Sequence, residues 1–493
     1  MERAVLERLC REELIELVLR LDRRCAELER QNAELAARCA CLEKRCTELE
    51  KQNAELSGEL AKARKNSSNS SKPPSSDIVK PPKPNGPNGK PGRIGGQPGH
   101  PKHTRPPFPP EKVDAVLTHK LDRCPNCGGR VRRSNKPPRV VQQAELVENP
   151  VVISEHRALA YVCKKCGKVH YAELPPDVKW GGLFGPRLVA FVAYLKGGCH
   201  ASYSTVQAVL EWVLGVPVSR GFLAKEVDKV SGALDGPYDE LLRQVRAETR
   251  LNVDETGHKS KGRLEFTWCF RAELFALFKI APSRGSDVLV KVLGEEFNGI
   301  LGCDYFSAYR KYMADFNVLV QFCLAHLIRD VKFLLTVPDK ATRNYGERVL
   351  AGLRNLFHVI HRREKMSEAK FRAALERARR DLVATAKRVP MGADAHNIAE
   401  RFRQHGESYF RFITTPGIEP TNNLAEQAVR FVVIDRRVTQ GTRGDAGRRW
   451  CERIWTVLAT CAIRHRSAFQ YIHRVIRARL GSQRFPSLLL DSP

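Results

Sequence analysis

TRLNVDETG (249–257) marks a change of periodicity in this 493-residue chain and reads as a short strand that ends in Gly257. Next comes LEFTWCFR (264–271), whose strict alternation puts Leu264, Phe266, Trp268 and Phe270 on one face. LFALFKIAPS (274–283) is a third candidate strand, and DVLVKVLGEEF (287–297) suits a helix. GILGCDYFSAY (299–309) then supplies a fourth strand ending at Asp304. Asp254 therefore lies on the first strand of the run and Asp304 at the end of the fourth. Glu255 points to the opposite strand face from Asp254, so only one of the pair can aim at a given site.

Three strands, a helix and a strand match the beginning of a ribonuclease-H-like sheet. Carboxylates at strand ends suit phosphodiester cleavage, which uses them to hold two Mg²⁺ about 4 Å apart. Mg²⁺ is hard, prefers oxygen and keeps several waters, so few protein groups suffice; Mn²⁺ is a substitute of the same kind. A third carboxylate is expected on a later helix. PTNNLAEQAVR (420–430) offers Glu426, with Asn422 and Arg430 on its face at i−4 and i+4 and Asn423 beside them. The competing reading makes Glu426 a solvated helix residue paired to Arg430. Spacing alone leaves Asp254 and Asp304 weakly specific.

At the N-terminus leucine recurs every seven residues: Leu14, Leu21, Leu28, Leu35, Leu42, Leu49 and Leu56. With these at d, the a positions are Val18, Cys25, Asn32, Cys39, Cys46, Asn53 and Leu60, the seam of a parallel two-stranded coiled coil. Asn32 and Asn53 would fix the register. Arg24–Glu29, Arg38–Glu43 and Arg45–Glu50 would attract across the interface. The alternative is one amphipathic helix packed on its own protein. The helix should stop at NSSNSSKPPSSD (66–77). From Lys62 to Pro110 ten Lys/Arg face one acid among thirteen prolines, so an extended linker is expected, either a phosphate contact or a soluble spacer. GGQPGH (95–100) lacks the helix and the Lys-Ser/Thr of a phosphate loop.

Two CxxC pairs, Cys124/Cys127 and Cys163/Cys166, stand 35 residues apart, each followed by glycine. Four thiolates close a tetrahedral shell, so one structural Zn²⁺ is expected, with strands at VVQQAELV (140–147) and HRALAYVC (156–163) as in a zinc ribbon. SYSTVQAVLEWVL, the GVPV turn and SRGFLAKEVDKVSGAL have helix-turn-helix spacing, which packed helices also share.

Lys and Arg number 83 against 55 Asp and Glu, a formal charge of +28 that calls for a polyanion, and nucleic acid is the common one. A basic surface serving only solubility is the bland alternative. From Gln427 to Arg484 there are thirteen Arg and three acids, a composition suited to gripping phosphates. No apolar run nears the roughly 18 residues of a membrane span and Met1 to Arg11 is charged, so neither an integral membrane nor a secreted protein is expected. Fifteen Cys, an odd number, fits thiols and metal ligands better than a disulfide framework.

Taken together, the zipper, NSSNSSKPPSSD, GGQPGH, the two knuckles, VDETG, CDYFSAY, CLAHLIRD, PTNNLAEQAVR and GTRGDAGRRW resemble a bacterial DDE transposase of the IS-sixty-six insertion-sequence family over nearly the whole chain. The resemblance implies a multidomain α/β protein. Its parts are a coiled coil (1–65), a disordered basic Pro/Gly-rich linker (66–112), a four-Cys zinc domain (113–178) and a helical region (179–248). A ribonuclease-H-like core (249–437), with a helical insertion at about 338–415, and an Arg-rich C-terminal region (438–493) follow. Carried over by motif, Asp254, Asp304 and Glu426 are the catalytic, Mg²⁺-holding triad. His326 of CLAHLIRD would orient substrate or water, or be a satisfied structural histidine. Cys323 and His326 look like half a metal site without a partner pair, so zinc is not expected there. His258 and Gln427 depart from the family pattern, Gln427 where an arginine often follows the glutamate. The implied activity cuts transposon ends and joins the freed 3′-hydroxyls to target DNA. A homodimer, helper proteins from the same element and a cytoplasmic, nucleoid-associated location go with it. The alternatives are a non-catalytic zinc-finger coiled-coil DNA-binding protein, a nuclease that only hydrolyses, and an inactive transposase copy.

Overall fold

A computed structural model describes residues 10–66, 69, 106–148, 150–178, 182–391 and 393–490. Most of the expected linker, GGQPGH included, lies outside the described residues. The elements begin with helix α1 (Arg11–Ala63) and the short strands β1 (Ala160–Val162) and β2 (Val169–Tyr171). Helices α2 (Pro186–Gly197), α3 (Tyr203–Ala208), α4 (Arg220–Ala233) and α5 (Asp235–Gln244) follow. Then come β3 (Arg250–Ser260), β4 (Arg263–Arg271), β5 (Ala276–Ala281), α6 (Ser286–Leu293), β6 (Ile300–Cys303), α7 (Ser307–Phe316) and β7 (Leu319–Phe322). Helices α8 (Leu324–Leu334), α9 (Lys340–Ile360), α10 (Glu368–Lys387), α11 (Ala393–His405), α12 (Arg411–Thr414), α13 (Asn423–Thr439), α14 (Asp445–Ile463) and α15 (Ala468–Leu480) complete a mixed α/β chain.

The heptad pattern becomes one unbroken 53-residue helix. A reciprocal cap starts it: Glu13 N–H donates to Cys10 Sγ, and the Glu13 carboxylate accepts from Cys10 N–H. The leucines from Leu21 to Leu56 lie 43–64% exposed, so this chain alone leaves the stripe uncovered.

The described residues fall into two compact units, those of Met1–Pro81 with Asp239–Arg443 and those of Pro82–Tyr238 with Gly444–Pro493. In the second, α14 and α15 pack with α2 and α4. Gly197 permits the α2–α14 crossing, because a Cβ there would meet Ile454 Cγ1 at 2.4 Å.

The first unit holds a five-stranded mixed sheet of order β5-β4-β3-β6-β7. β3, β4 and β5 run antiparallel, while β6 and β7 run parallel to β3. β4 departs from the expected one-sided pattern. Thr267, Trp268, Cys269 and Phe270 are all buried, and Leu264 is 64% exposed at the strand's edge. The reason is position: β4 sits inside the sheet with helices over it, so both faces of its centre are covered. The edge strand β7, only four residues of LVQF, was not anticipated. Helices α9 to α12 fall within the expected insertion at 338–415.

The expected strand at 140–147 is absent. Gln142 instead brackets Phe108, accepting from its N–H at 2.6 Å and donating to its carbonyl at 3.0 Å. Val140, Val141, Leu146 and Val147 stay at least two-thirds exposed, and strands need a partner ladder and a buried face to persist. Among the described residues the second knuckle carries a hairpin, β1 with β2, and the first a single antiparallel bridge between Arg123 and Arg130.

Candidate active site

Register brings the first two carboxylates together. Asn252 pairs with Gly302 across β3 and β6, so Asp254 and Asp304 lie level, two residues on, where the pairing of these parallel strands ends: Asp304 just past β6 and Asp254 in the middle of the longer β3. Ligands of open α/β sheets bind in the same place. Gly302 is required there, because a Cβ would stand 2.6 Å from Asn252 Nδ2. The space lets Asn252 donate to Asn422 Oδ1 at 2.9 Å. Asn422, 1% exposed, in turn donates from its side chain to the Val253 carbonyl at 2.8 Å and from its N–H to Cys323 Sγ at 3.2 Å. Asn422 is the residue before α13, so this stitch sets the helix bearing Glu426 against the strand bearing Asp254. Further along, Arg436 donates to Thr256 Oγ1 at 2.8 Å and to the Gly257 carbonyl.

Electrostatics tie the three acids into one site. Burial pushes the Asp254 carboxyl well above the usual range, and the charges of Glu255, Asp304 and Glu426 push it further. Asp304 is pushed up to about 7, by burial first and Glu255 second. Each accepts one short-range backbone bond, Asp254 from Glu255 N–H at 3.0 Å and Asp304 from Phe306 N–H at 2.9 Å. Half-buried carboxylates that resist ionising lack enough positive charge around them, which is the electrostatic environment a hard cation fits.

Glu426 is not paired to Arg430, which lies exposed on the following turn. Its Oε1 faces Arg329 Nη2 at 3.3 Å and His326 Nδ1 at 3.6 Å. Arg329 Nη2 also stands 3.1 Å from His326 Nε2, the acceptor in that pair. Burial and then Arg329 pull the His326 ring down to about 4, so it faces Glu426 neutral. Among the described residues Cys323, His326 and Glu426 form a set of three donors within 4.8 Å, the partner that the motif CLAHLIRD did not reveal. The thiol is a poor ligand for a hard ion. Burial pushes its pKa up, and it already accepts the Asn422 N–H. Asn423 lies exposed at the start of α13.

Two groups were missed. Glu255 does turn to the other face, where Arg284 Nη2 donates to Oε1 at 2.7 Å and Tyr309 to Oε2 at 2.5 Å. The Arg284 guanidinium lies 3.9 Å from the Phe306 ring, bracing the turn after Asp304. Arg329 is the second. Its only signal was a basic residue one turn after His326.

The four cysteines form two separate local turns. Gly128 N–H donates to Cys124 O and Gly167 N–H to Cys163 O, both at 2.8 Å, with Gly128 and Gly167 at φ 73° and 67°. Backbone N–H groups of Asn126 and Cys127 lower the Cys124 thiol, and those of Cys166 and Lys165 lower Cys163. No three of the four thiols stand within 4.8 Å of one another.

The arginines after Glu426 are partly structural. Arg436 braces β3, and Arg453 bonds Ser231 and Asp235 within the second unit. Arg466 holds the carbonyls of Leu488 and Leu490.

A sequence model described as Transposase IS66 family matches residues 181–449, more than half of the chain. Another, described as a family of unknown function (DUF6444), matches residues 19–106. Among curated relatives, the uncharacterized protein y4hP of Sinorhizobium fredii is 22% identical over 385 residues, 71% of this chain and 69% of that protein. The uncharacterized protein y4qI of the same organism is 24% identical over 319 residues, 58% of each. The matched span encloses Asp254, Asp304, His326, Asn422 and Glu426: this chain belongs to the Transposase IS66 family.

Proposed function

We propose that the chain is the DNA transposase of an insertion sequence, with a ribonuclease-H-like core that cleaves transposon ends and joins their 3′-hydroxyls to target DNA. The observation that carries the reading is the level placement of Asp254 and Asp304 on neighbouring parallel strands, with Glu426 held to them by the Asn422 stitch. Strand order β5-β4-β3-β6-β7, three antiparallel and two parallel, supports the fold.

Asp254, Asp304 and Glu426 would hold two Mg²⁺, or Mn²⁺. The ions would activate an attacking oxygen and stabilise the leaving one. The chain's own part is to keep these half-buried carboxylates in a fixed geometry. Asn422 fixes the helix, the Phe306 N–H holds Asp304, and neutral His326, its Nε2 taken by Arg329, can orient an oxygen through its Nδ1–H without adding charge. Exposed arginines, Arg430 among them, supply backbone grip.

Two knuckles with backbone N–H groups aimed at their thiols support one structural Zn²⁺ on Cys124, Cys127, Cys163 and Cys166. The uncovered leucine stripe of α1 supports a parallel homodimer. Among the described residues no helix is long and apolar enough to cross a membrane, and with DNA as substrate we place the protein at the bacterial nucleoid. The deciding experiment incubates the full chain with a duplex carrying the element's terminal sequence. Mg²⁺-dependent cutting with joined products is expected. Binding without cutting favours a non-catalytic DNA-binding protein or an inactive copy, and cutting without joining a nuclease.

A further inference from the structure

We infer that Arg329 is a cation-displaced phosphate ligand: it neutralises Glu426 in the metal-free protein and moves to a DNA phosphate when divalent cations take that carboxylate. The inference rests on the reading of Glu426 as a metal ligand.

The geometry is specific. Arg329 Nη2 lies 3.3 Å from Glu426 Oε1 and 3.1 Å from His326 Nε2, with its side chain 20% exposed. A guanidinium there occupies one of the two carboxylate oxygens, and a dication on the same carboxylate would stand close to it, with strong repulsion in a partly desolvated site. The backbone under Arg329 stays put when the head group leaves. The next residue, Asp330, accepts from Arg401 at 2.7 Å, and α8 begins where Leu324 N–H bonds the Pro420 carbonyl at 2.9 Å. Only the side chain is free to swing, and its two-point fork suits phosphate better than any other cationic group on α8. The substrate of the site is a chain of phosphates arriving with the cations, so the displaced arginine meets an anion beside the carboxylates. Glu426 thus has a cationic partner in both states.

The test measures Mn²⁺ affinity without DNA, by calorimetry on the full-length protein, in wild type, Arg329→Gln, Glu426→Gln and the double variant. Removing the competitor should tighten Mn²⁺ binding roughly threefold to tenfold. That gain should vanish in the Glu426→Gln background. An arginine that merely supports structure predicts weaker binding instead, and unchanged or weaker binding in Arg329→Gln overturns the inference. In Ca²⁺ the same variant should lower the salt slope of random-sequence duplex binding by about one. An unchanged slope overturns the phosphate arm. Glu426→Gln with wild-type Mn²⁺ affinity would instead sink the metal assignment of Glu426, a separate failure. If the Gln variant lacks a melting transition, Arg329→Lys reads the same contrast at reduced size.

Discussion

The carboxylate centre and the cysteine module are built in opposite ways. Asp254, Asp304 and Glu426 come from positions up to 172 residues apart, yet a paired sheet and a buried asparagine hold them before any ligand arrives. Each cysteine pair is made by four consecutive residues and a glycine, with no buried residue among the described residues around it and no three of the four thiols within 4.8 Å of one another. A site carried by a folded core is preorganised and suits catalysis. Two surface turns would need a bound ion to hold them together.

Chelation should divide the two. Stripping zinc, or Cys124→Ser, is expected to abolish ordered structure in residues 113–178 while the core keeps its melting transition, read by hydrogen exchange. Equal protection with and without zinc, or equal loss in both regions, breaks the comparison. Asn422→Ala should cost about 2–3 kcal/mol in urea unfolding of the core, since it strands Asn252 and the Val253 carbonyl in a buried place. A loss under about 0.5 kcal/mol would mean the stitch does not hold α13.

Asp304→Asn sharpens the electrostatic half of the contrast. Its folded pKa of about 7 lies above the ordinary 3.8. Between those values the unfolded chain releases its proton first, so metal-free stability falls as pH rises from about 4 to about 7. The asparagine variant should have a shallower slope, Asp254 still contributing its own, and, without metal at pH 8, melt above wild type by the equivalent of about 1–2 kcal/mol. An unaltered slope would place the titrating group elsewhere. The smallest effect belongs to exposed Arg430. Its change to Ala should lower the salt slope of duplex binding by about one and leave stability unchanged. No change in slope would remove it from the DNA surface.

Much of the core was legible because its signals are local. DETG, GCDYF and NNLAEQ each place their carboxylate on the strand or helix expected of it, although β3 runs on past Gly257, the expected end, to Ser260, because its ladder with β4 continues there. What escaped is long-range. Gly302 makes room for Asn252 only because β6 pairs with β3, a relation nothing in GILGCD announces. Arg284 and Tyr309 reach Glu255 from 29 and 54 residues away. The strand expected at 140–147 failed for the converse reason. Its alternation is local, but a strand needs a partner and the described residues supply none.

The most direct test of the account is a single-turnover assay of cutting and joining on a duplex with the element's end, comparing wild type with Asp254→Asn, Asp304→Asn and Glu426→Gln. All three variants should fold and bind DNA while losing both steps by at least about a thousandfold, as expected when a group acting only in the transition state is removed. Cutting and joining at near wild-type rate in any one of them would contradict it.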